Sequence, residues 1–356
     1  MEFLLRRTFH VRSRLQLRVN PASYTTIGVK LLTTNYELQT KNSLMHHLNI
    51  LETVGRTPML ELKSLSPKPG VHLYAKLEGW NPTGSVKDRI VKHMLQHAER
   101  DGRIAPGDTV IEASTGNTGI ALAMIGRAMG YHARIVMPEN VYPEIPRALA
   151  VYGADVHWVP AEDGVTGAMA VARKMAADEG CFMLDQFCNE HNARAHYIWT
   201  GPEILQDVPN VDVFVAGLGT GGTLMGTGRR LKEANPRTKV VAVEPHPGNQ
   251  LQGLKSLADG FIPPILDLAF LDGKILVRSG HAFRAARLMM QREGVFGGVS
   301  AGAVLHAGLK FAQRLDKGNI VMIFADSGWK YLETNLWSRD LPSEEHEENL
   351  DDIIWW

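Results

Sequence analysis

Short apolar runs alternate with segments of helical periodicity from about residue 71 to residue 326. Runs such as VHLYAKL (71–77), DTVIEA (108–113) and KVVAVEP (239–245) have the length and composition of buried strands. Strands that alternate with helices predict parallel sheets with helices on both faces. Since there are too many strands for one compact sheet, we expect two doubly wound α/β domains of three α/β/α layers, with the active site in the cleft between them.

The composition argues against several classes of partner. The chain has 38 basic and 38 acidic residues, so its net charge gives no electrostatic reason to bind nucleic acid or an anionic membrane. No run approaches the roughly 18 apolar residues that a membrane span requires. The two cysteines, Cys181 and Cys188, form neither a disulfide framework nor a metal-binding pattern, which favours a reducing compartment. We therefore expect a small-molecule partner.

The two ends differ from the rest of the chain. Residues 1–44 contain five arginines and two lysines but only two glutamates. This composition is typical of an organellar presequence, and it also fits an upstream extension ahead of Met45. We expect a cytoplasmic protein, or a mitochondrial or plastid one if residues 1–44 are a transit peptide.

The other end, residues 339–356, carries seven acids and one arginine and closes with IIWW. Acidic runs are usually solvated tails. Four terminal apolar residues should nevertheless prefer a groove to water. One hypothesis is that they cover the mouth of the active site and exclude water from it.

The segment NPTGSVKDR (81–89) is the first of four strand-to-helix junctions at which a ligand could bind. Most of this segment can be explained by local structure alone. Its first residues form a turn, Ser85 caps a helix, and Asp88 is the capping-box partner. None of these features requires Lys87, although a solvated lysine remains the alternative. A lysine at a helix N-terminus has a lowered pKa, which a Schiff-base lysine needs.

The second junction, EASTGNTGIALA (112–123), places four hydrogen-bonding side chains beside two glycines at the start of a helix. These side chains are those of Ser114, Thr115, Asn117 and Thr118. They exceed what a helix cap requires. Backbone N–H groups and hydroxyls that converge there predict an anion site of carboxylate size.

The third junction is the glycine loop of VDVFVAGLGTGGTLMGTGRRL (211–231). Its Gly-x-Gly-x-x-Gly layout and Glu244, 22 residues after Gly222, fit a dinucleotide-binding turn. Such a turn, however, should open the first strand–helix unit, and this loop follows about six of them. With the hydroxyls of Thr220 and Thr223, the loop better suits a terminal phosphate.

The fourth junction, GGVSAGAVLHAG (297–308), places Ser300 where its hydroxyl could meet a ligand nitrogen, although such a serine is more often an N-cap. His93 and His97 have the i, i+4 spacing of a zinc pair, but no glutamate follows His93 and no third ligand is apparent. We expect both to be surface residues of an amphipathic helix, and no metal site.

Together these segments resemble the cysteine synthase and cystathionine β-synthase family, the fold-type-II pyridoxal-phosphate enzymes. The resemblance extends from ILETVGRTPMLEL to DSGWKYLET, residues 50–334, and is strongest to the B-type cysteine synthases that use O-phosphoserine or O-acetylserine. It implies that pyridoxal 5′-phosphate is the cofactor and that its phosphate binds to the glycine loop.

The resemblance assigns roles to individual residues. Lys87 would be the Schiff-base lysine and general base, Asn117 would bond the 3′-oxygen of the cofactor, and Ser300 would face the pyridine nitrogen. The residues that match the phosphate loop are Gly219, Thr220, Gly221, Gly222 and Thr223. Those that match the substrate site are Ser114, Thr115, Thr118 and Gln186, together with Lys255 near the leaving group. Lys255 replaces an arginine of the family pattern, and Thr115 and Ala301 also depart from it.

The implied reaction is β-replacement on O-phospho- or O-acetyl-L-serine. Sulfide, thiosulfate or a thiocarboxylate carrier would add to an α-aminoacrylate and give L-cysteine. The alternative is condensation of serine with homocysteine, against which the short sequence after GWKYLET argues. Two other classes compete, a nicotinamide oxidoreductase and a non-catalytic pseudoenzyme, but both leave the matched residues without roles. The resemblance also implies a homodimer and, as a protein partner, serine acetyltransferase or a sulfur carrier.

We expect residues 81–188 to form the smaller domain, which carries Lys87 and Asn117, and residues 45–80 with 189–338 to form the larger one.

Overall fold

A computed structural model describes residues 46–334, Trp337 and Ile353–Ile354. The elements below all belong to the unit that runs from Leu48 onward. The predictions for residues 1–44 and for most of the acidic tail lie outside the described residues.

The described residues contain eleven strands and nine α-helices. The strands are β1 (Met59–Glu61), β2 (Val71–Leu77), β3 (Thr109–Ala113), β4 (His132–Pro138), β5 (Asp155–Val159), β6 (Phe182–Met183), β7 (Val213–Gly217), β8 (Lys239–Pro245), β9 (Gly273–Val277), β10 (Gly318–Phe324) and β11 (Ile353–Ile354). The α-helices are α1 (Lys87–Arg100), α2 (Asn117–Met129), α3 (Glu144–Tyr152), α4 (Gly164–Glu179), α5 (His191–Ala195), α6 (Gly201–Asp207), α7 (Gly222–Ala234), α8 (Ser279–Glu293) and α9 (Val299–Arg314).

Shorter helical turns connect these elements. A π-helical segment, His196–Thr200, joins α5 to α6. The 3₁₀ turns are Ile50–Thr53, Lys63–Leu65, Glu78–Trp80, Ala161–Asp163, Leu257–Asp259, Leu268–Phe270 and Gly328–Thr334.

The strands form two sheets. The larger has the order β1–β2–β10–β7–β8–β9–β11, in which β2, β10, β7, β8 and β9 are parallel and the two edge strands are antiparallel to their neighbours. The smaller sheet, β5–β4–β3–β6, is entirely parallel. Parallel strands need crossover connections, which the helices between them supply. The two sheets fit the predicted fold class of two α/β domains.

Helices cover both faces of each sheet because the strands are apolar on both sides. Along β7, Phe214 and Val215 point to opposite faces and enter different core clusters, one shared with α6 and α7 and the other with α8 and α9. Along β3, Val110 packs with α1 and α2, whereas Ile111 packs with α4. Both sheets are therefore the middle layer of three, as the near-continuous apolar runs predicted.

Most predicted elements are present, with differences at three places. The apolar run CFMLDQF (181–187) predicts a further strand, but it forms only the two-residue strand β6, after which the chain turns at Asp185, which has a positive φ. Helical periodicity near residues 192–206 predicts one helix, but the π-helical segment interrupts it just before Pro202, which has no N–H to donate. The strands β1 and β9 were not predicted from the sequence. The smaller sheet falls within 81–188, but the domain boundaries themselves stay a prediction.

Two further expectations need correction. His93 is buried rather than on the surface, because α1 packs against α5 along that face. Ile353 and Ile354 pair with Ile275 and Lys274 at the edge of the larger sheet, so this part of the tail extends a sheet rather than covering a cavity. None of the helices that the structure describes combines the length and apolarity that crossing a bilayer requires.

Candidate active site

One cavity lies where the carboxyl ends of β3, β7 and β10 meet. Its walls include residues at or just after these ends, Ser114, Gly217 and Ala325, so both sheets contribute to it. This is the position at which open α/β sheets bind ligands. Twelve of the thirteen predicted site residues line the cavity: Lys87, Ser114, Thr115, Asn117, Thr118, Gln186, Gly219, Thr220, Gly221, Thr223, Lys255 and Ser300.

Lys87 is the first residue of α1 and is held by the turn before it. The carboxylate of Asp88 accepts hydrogen bonds from the backbone N–H and the hydroxyl of Thr83. The backbone N–H of Val86 donates to the carbonyl of Ala325, just past β10 (2.8 Å). The predicted cap is therefore only partly present, since Val86 stands at the N-cap and Ser85 accepts a long bond of 3.4 Å from the Lys87 N–H.

The surroundings of Lys87 favour its neutral amine. Burial in the cavity lowers the pKa of Lys87, and the charge of Lys330 lowers it further, while Asp326 acts in the opposite direction. A lysine with a lowered pKa is more readily available as a nucleophile or base. Lys330 lies outside the segments that sequence reasoning considered for the site, and it lines the same cavity.

A buried ion-pair network fixes the first turn of α1. The guanidinium of Arg89, two residues after Lys87, donates two hydrogen bonds to Glu78 (2.6 and 2.8 Å) and two to Glu203 (both 2.7 Å). Lys76 pairs with Glu203 at 2.9 Å. Although burial opposes ionisation, Arg89 lowers the pKa of Glu203 to about 2. The network joins β2, α1 and α6 around Lys87, and sequence reasoning missed it.

The Asn117 side chain bridges the two sheets. Its amide nitrogen donates to Asp326 Oδ2 (2.7 Å), and Lys330 Nζ donates to its amide oxygen (2.6 Å). The hydroxyl of Tyr331 donates to the same aspartate oxygen (2.6 Å). Asp326, Lys330 and Tyr331 all follow β10, whereas Asn117 begins α2 after β3. The predicted cofactor ligand is therefore oriented by residues of the DSGWKYL segment.

The other polar residues of the Asn117 loop are also engaged. Ser114 Oγ accepts from the backbone N–H groups of Gly116 (3.2 Å) and Gly119 (2.9 Å), and so caps α2. Thr118 Oγ1 donates to Gln186 Oε1 (2.6 Å), while Gln186 Nε2 donates to the carbonyl of Ala113 (3.1 Å). Thr118 and Gln186, predicted as two parts of one carboxylate site, are thus in direct contact.

Glu112, near the end of β3, contacts Gln186 and helps to hold it in place. Its carboxyl group accepts from the Gln186 backbone N–H at 3.2 Å. Burial raises the pKa of Glu112 to about 8, against the effect of the Gln186 bonds. The group is therefore mainly protonated at neutral pH and adds little negative charge to the predicted carboxylate site.

The glycine loop connects β7 to α7 as predicted. Gly221 is the N-cap of α7 with a φ of +87°, a conformation that favours glycine. Gly222 does not line the cavity; a Cβ there would lie 1.9 Å from Asn192 Oδ1. Asn192 Nδ2 donates to Thr220 Oγ1 (2.9 Å) and so holds the loop from outside. The backbone N–H groups and positive dipole end of α7 face the cavity from this loop.

A buried histidine supports the far side of the loop. His196 Nε2 lies 3.2 Å from Thr223 Oγ1, and its Nδ1 lies 2.9 Å from Thr200 Oγ1. Burial holds the pKa of His196 well below its usual range, so the ring is neutral. Glu244 is occupied elsewhere, since it accepts from the Leu257 N–H (2.8 Å) and pairs with Lys274 (3.3 Å). Glu244 therefore lies near the end of β8 with partners of its own.

Ser300 and Lys255 complete the cavity wall. Ser300 is the second residue of α9, buried against the cavity, whereas Gly298 occupies the N-cap. Lys255 Nζ lies 5.2 Å from the ring centroid of Phe187 and 5.6 Å from that of Phe261. Burial lowers the pKa of Lys255. Its side chain therefore lies against aromatic rings inside the site and not in bulk solvent.

The donor set fits pyridoxal 5′-phosphate, the cofactor that the resemblance implies. A lysine with a lowered pKa lies in the same cavity as a helix N-terminus with two threonine hydroxyls, Thr220 and Thr223. These would hold the aldehyde end and the phosphate of the cofactor. Ser300 offers a neutral hydroxyl to a ring nitrogen, and Asn117 an amide to a ring oxygen.

Comparison with known proteins agrees with this fit. The family model described as "Pyridoxal-phosphate dependent enzyme" matches residues 50–326. A cysteine synthase of Staphylococcus aureus strain Mu50 is 39% identical over 302 residues, which cover 82% of this chain and 97% of that protein. Two crystal structures superpose with a TM-score of 0.79. One is an O-ureido-L-serine synthase (35% identity, covering 84% of this chain and 98% of that one). The other is a cysteine synthase from Entamoeba histolytica (34% identity, covering 84% and 93%).

Proposed function

The chain belongs to the pyridoxal-phosphate dependent enzyme family, and we propose on that basis that it is a cysteine synthase. It replaces the activated β-substituent of an O-acyl- or O-phospho-L-serine by a sulfur nucleophile and releases L-cysteine. One observation carries the proposal. Lys87, the Asn117 loop and the glycine loop, which are far apart in sequence, line a single cavity. When bound, pyridoxal 5′-phosphate supplies the electron sink that makes the Cα proton of the amino acid acidic.

Lys87 moves the proton. Its amine would anchor the cofactor and would remove the proton from Cα of the bound amino acid. Burial and the charge of Lys330 lower its pKa, which favours the neutral amine. The fixed first turn of α1, held by Arg89, keeps the amine in reach of the reacting carbon.

The two ends of the cofactor have separate sites. Gly219, Thr220, Gly221 and Thr223 surround its phosphate at the N-terminus of α7, with Gly222 as the first helical residue behind them. Ser300 would offer a neutral hydroxyl, and not an acid, to the pyridine nitrogen of the cofactor.

The substrate carboxylate binds at the Asn117 loop. Ser114, Thr115 and Thr118 supply hydroxyls, and α2 supplies backbone N–H groups at its N-terminus. Gln186, next to Thr118, adds an amide. Because Glu112 behind it is mainly protonated, no negative charge opposes the carboxylate there.

Lys255 contacts the leaving group. A half-buried ammonium between aromatic rings suits a departing acetate or phosphate, and more strongly the doubly charged phosphate. A lysine provides a point charge rather than the bidentate fork of an arginine, so it stabilises the phosphate without fixing its orientation.

The assembly and location are also proposals. The family resemblance supports a homodimer and, as a protein partner, serine acetyltransferase or a sulfur-carrier protein. The choice between cytoplasm and an organelle depends on residues 1–44, outside the described residues.

The direct test is product formation by the cofactor-loaded protein. Purified enzyme is incubated with O-acetyl-L-serine or O-phospho-L-serine and sulfide, and L-cysteine is quantified; Lys87→Ala is the control. We expect L-cysteine from at least one donor with the wild type and a loss of about 10²–10⁴-fold in Lys87→Ala. Replacing the sulfide by homocysteine tests the condensation alternative. No cysteine with any sulfur donor, but a product with another nucleophile, would contradict the cysteine synthase assignment.

A further inference from the structure

Three histidines from α1 and α5 meet outside the active-site cavity. His93 and His97 lie one turn apart on α1, and His191 is the first residue of α5. The ring centroids are 4.2 Å apart for His93 and His97, 4.0 Å for His97 and His191, and 5.6 Å for His93 and His191. The first two were recognised in the sequence as a pair without a third member, and the fold supplies that member.

The distances between the ring nitrogens are close to those of a three-histidine metal site. One ligand atom from each residue lies within 4.8 Å of the other two. Zinc takes imidazole nitrogens at about 2.0–2.1 Å in a tetrahedral arrangement, which separates the nitrogens by about 3.4 Å. Rotations of the side chains of His97 and His191, which are only partly buried, can close this difference without moving the helices.

Two ring nitrogens of the three histidines have no hydrogen-bond partner among the described residues. These are His93 Nε2 and His191 Nδ1, which are both buried. Leaving a buried polar atom unpaired destabilises a fold, so such atoms call for a function or a ligand. Each ring also offers an imidazole nitrogen, a ligand type that divalent transition metals prefer.

The cluster is open to solvent on one side. His93 and His97 line a surface cleft with Glu99, Arg100 and Arg194. An ion could therefore enter from solvent and keep water in its remaining coordination positions, as three-histidine zinc sites do. The two arginines weaken the attraction for a cation, and Glu99 only partly compensates them. We accordingly expect moderate affinity.

We propose that His93, His97 and His191 bind a single borderline divalent cation, Zn²⁺ in the first instance. Three imidazoles without a carboxylate or thiolate favour Zn²⁺, Co²⁺, Ni²⁺ and Cu²⁺ over Mg²⁺ and Ca²⁺. The ion would join α1, which begins at Lys87, to α5, which begins five residues after Gln186. The site is independent of the cofactor and would exist whatever reaction the enzyme performs.

The test is zinc binding by the full-length, cofactor-loaded protein, measured by equilibrium dialysis, with the visible spectrum of bound Co²⁺ as a second readout. His97→Ala and His191→Ala remove partly buried rings and should leave the fold intact, which circular dichroism checks. The matched control is His281→Ala, because His281 belongs to another stacked histidine pair, with His306 (4.6 Å between centroids).

We expect one zinc ion per chain in the wild type and in His281→Ala. Affinity should fall at least about tenfold in His97→Ala and in His191→Ala, a change of about 1.4 kcal/mol. At a fixed zinc concentration, zinc should also raise the melting temperature of the wild type and of the control more than that of the other two variants. Absence of binding to the wild type, or binding that neither substitution weakens, would overturn the proposal.

Discussion

Lys330 Nζ donates a 2.6 Å hydrogen bond to the side-chain oxygen of Asn117, and this fixes which way the Asn117 amide faces. The amide nitrogen is thereby directed to Asp326, 2.7 Å away. Lys330 is also a second ammonium in the cavity of Lys87 and lowers the pKa of that residue. Lys330 is thus a positioning residue that acts through both Asn117 and Lys87.

Replacing Lys330 by methionine should shift the pH dependence of catalysis. Loss of the Lys330 charge raises the pKa of Lys87, because that charge contributes to lowering it in the wild type. The limb of the kcat–pH profile that reports deprotonation of Lys87 should therefore move to higher pH. The fraction of free Lys87 amine at a given pH should fall accordingly. In K330R, which keeps the charge, the limb should stay close to its wild-type position; an unshifted limb in Lys330→Met would contradict the role.

Replacing Lys255 by methionine should affect the two serine donors unequally. If Lys255 contacts the leaving group, kcat/KM for O-phospho-L-serine should fall about 10–100-fold, as expected for loss of a charge-assisted hydrogen bond. The decrease for O-acetyl-L-serine should be smaller, since acetate carries less charge than phosphate. Lys255→Arg should retain activity with O-phospho-L-serine. Equal losses for both donors in steady-state assays would show that Lys255 is structural.

Replacing Gly222 by alanine should weaken cofactor binding. The added methyl group would lie 1.9 Å from Asn192 Oδ1 and displace the side chain that holds Thr220. Such overpacking costs about 1–3 kcal/mol, so the Kd for pyridoxal 5′-phosphate should rise about tenfold or more. The Kd is measured by titrating the apoenzyme with pyridoxal 5′-phosphate and following the visible absorbance. The double variant with Asn192→Ala removes the clash and should bind better than the sum of the single effects predicts. Strict additivity would rule out the clash as the cause.

Replacing Arg89 by methionine should strongly destabilise the protein. Both Arg89 and Glu78 are fully buried, so the substitution leaves an uncompensated charge in the interior. Breaking a buried ion pair in this way typically costs about 3–5 kcal/mol. The control is Arg230→Met, which breaks the exposed pair with Glu233 and should cost at most about 1 kcal/mol. Urea denaturation compares the two, and similar losses would refute the assigned importance of the network.

The same network predicts an acid-dependent loss of stability. Burial raises the pKa of Glu203, but Arg89 outweighs this effect and lowers it from an ordinary value of 4.5 to about 2. An acid whose pKa is lower in the folded state stabilises the fold above its unfolded pKa, and this contribution disappears as pH falls through the folded value. The free energy of unfolding should therefore decrease between about pH 4.5 and about pH 2, and this decrease should be smaller in Glu203→Gln. An identical acid profile for the variant would contradict the shift.

The sequence predicted the parts of the site that are encoded locally. Lys87, Asn117 and the glycine loop each stand in a short segment where a strand enters a helix. Glycines and hydroxyls concentrated in such a segment are typical of an anion site at a helix N-terminus. The alternation of strands and helices then placed these segments at the carboxyl ends of parallel strands. The assignment of cofactor ligands to individual residues came from family resemblance and stays a prediction.

The residues that sequence reasoning missed depend on contacts between distant segments. Lys330 matters because β10 brings it to Asn117, and His191 because α5 packs on α1. Arg89 looks like an ordinary helix residue until the fold surrounds it with Glu78 and Glu203. The three residues of β1 hold too little periodicity to be recognised, and β9 was not predicted although it is as long as β3.

The most direct test of the account is the identity of the lysine that holds the cofactor. Cofactor-loaded protein is reduced with borohydride, which makes the link between pyridoxal 5′-phosphate and its lysine permanent, and the peptides are analysed by mass spectrometry. We expect the cofactor to be attached at Lys87 and Lys330, in the same cavity, to be unmodified. Attachment at Lys330, at Lys255 or at no lysine would contradict it.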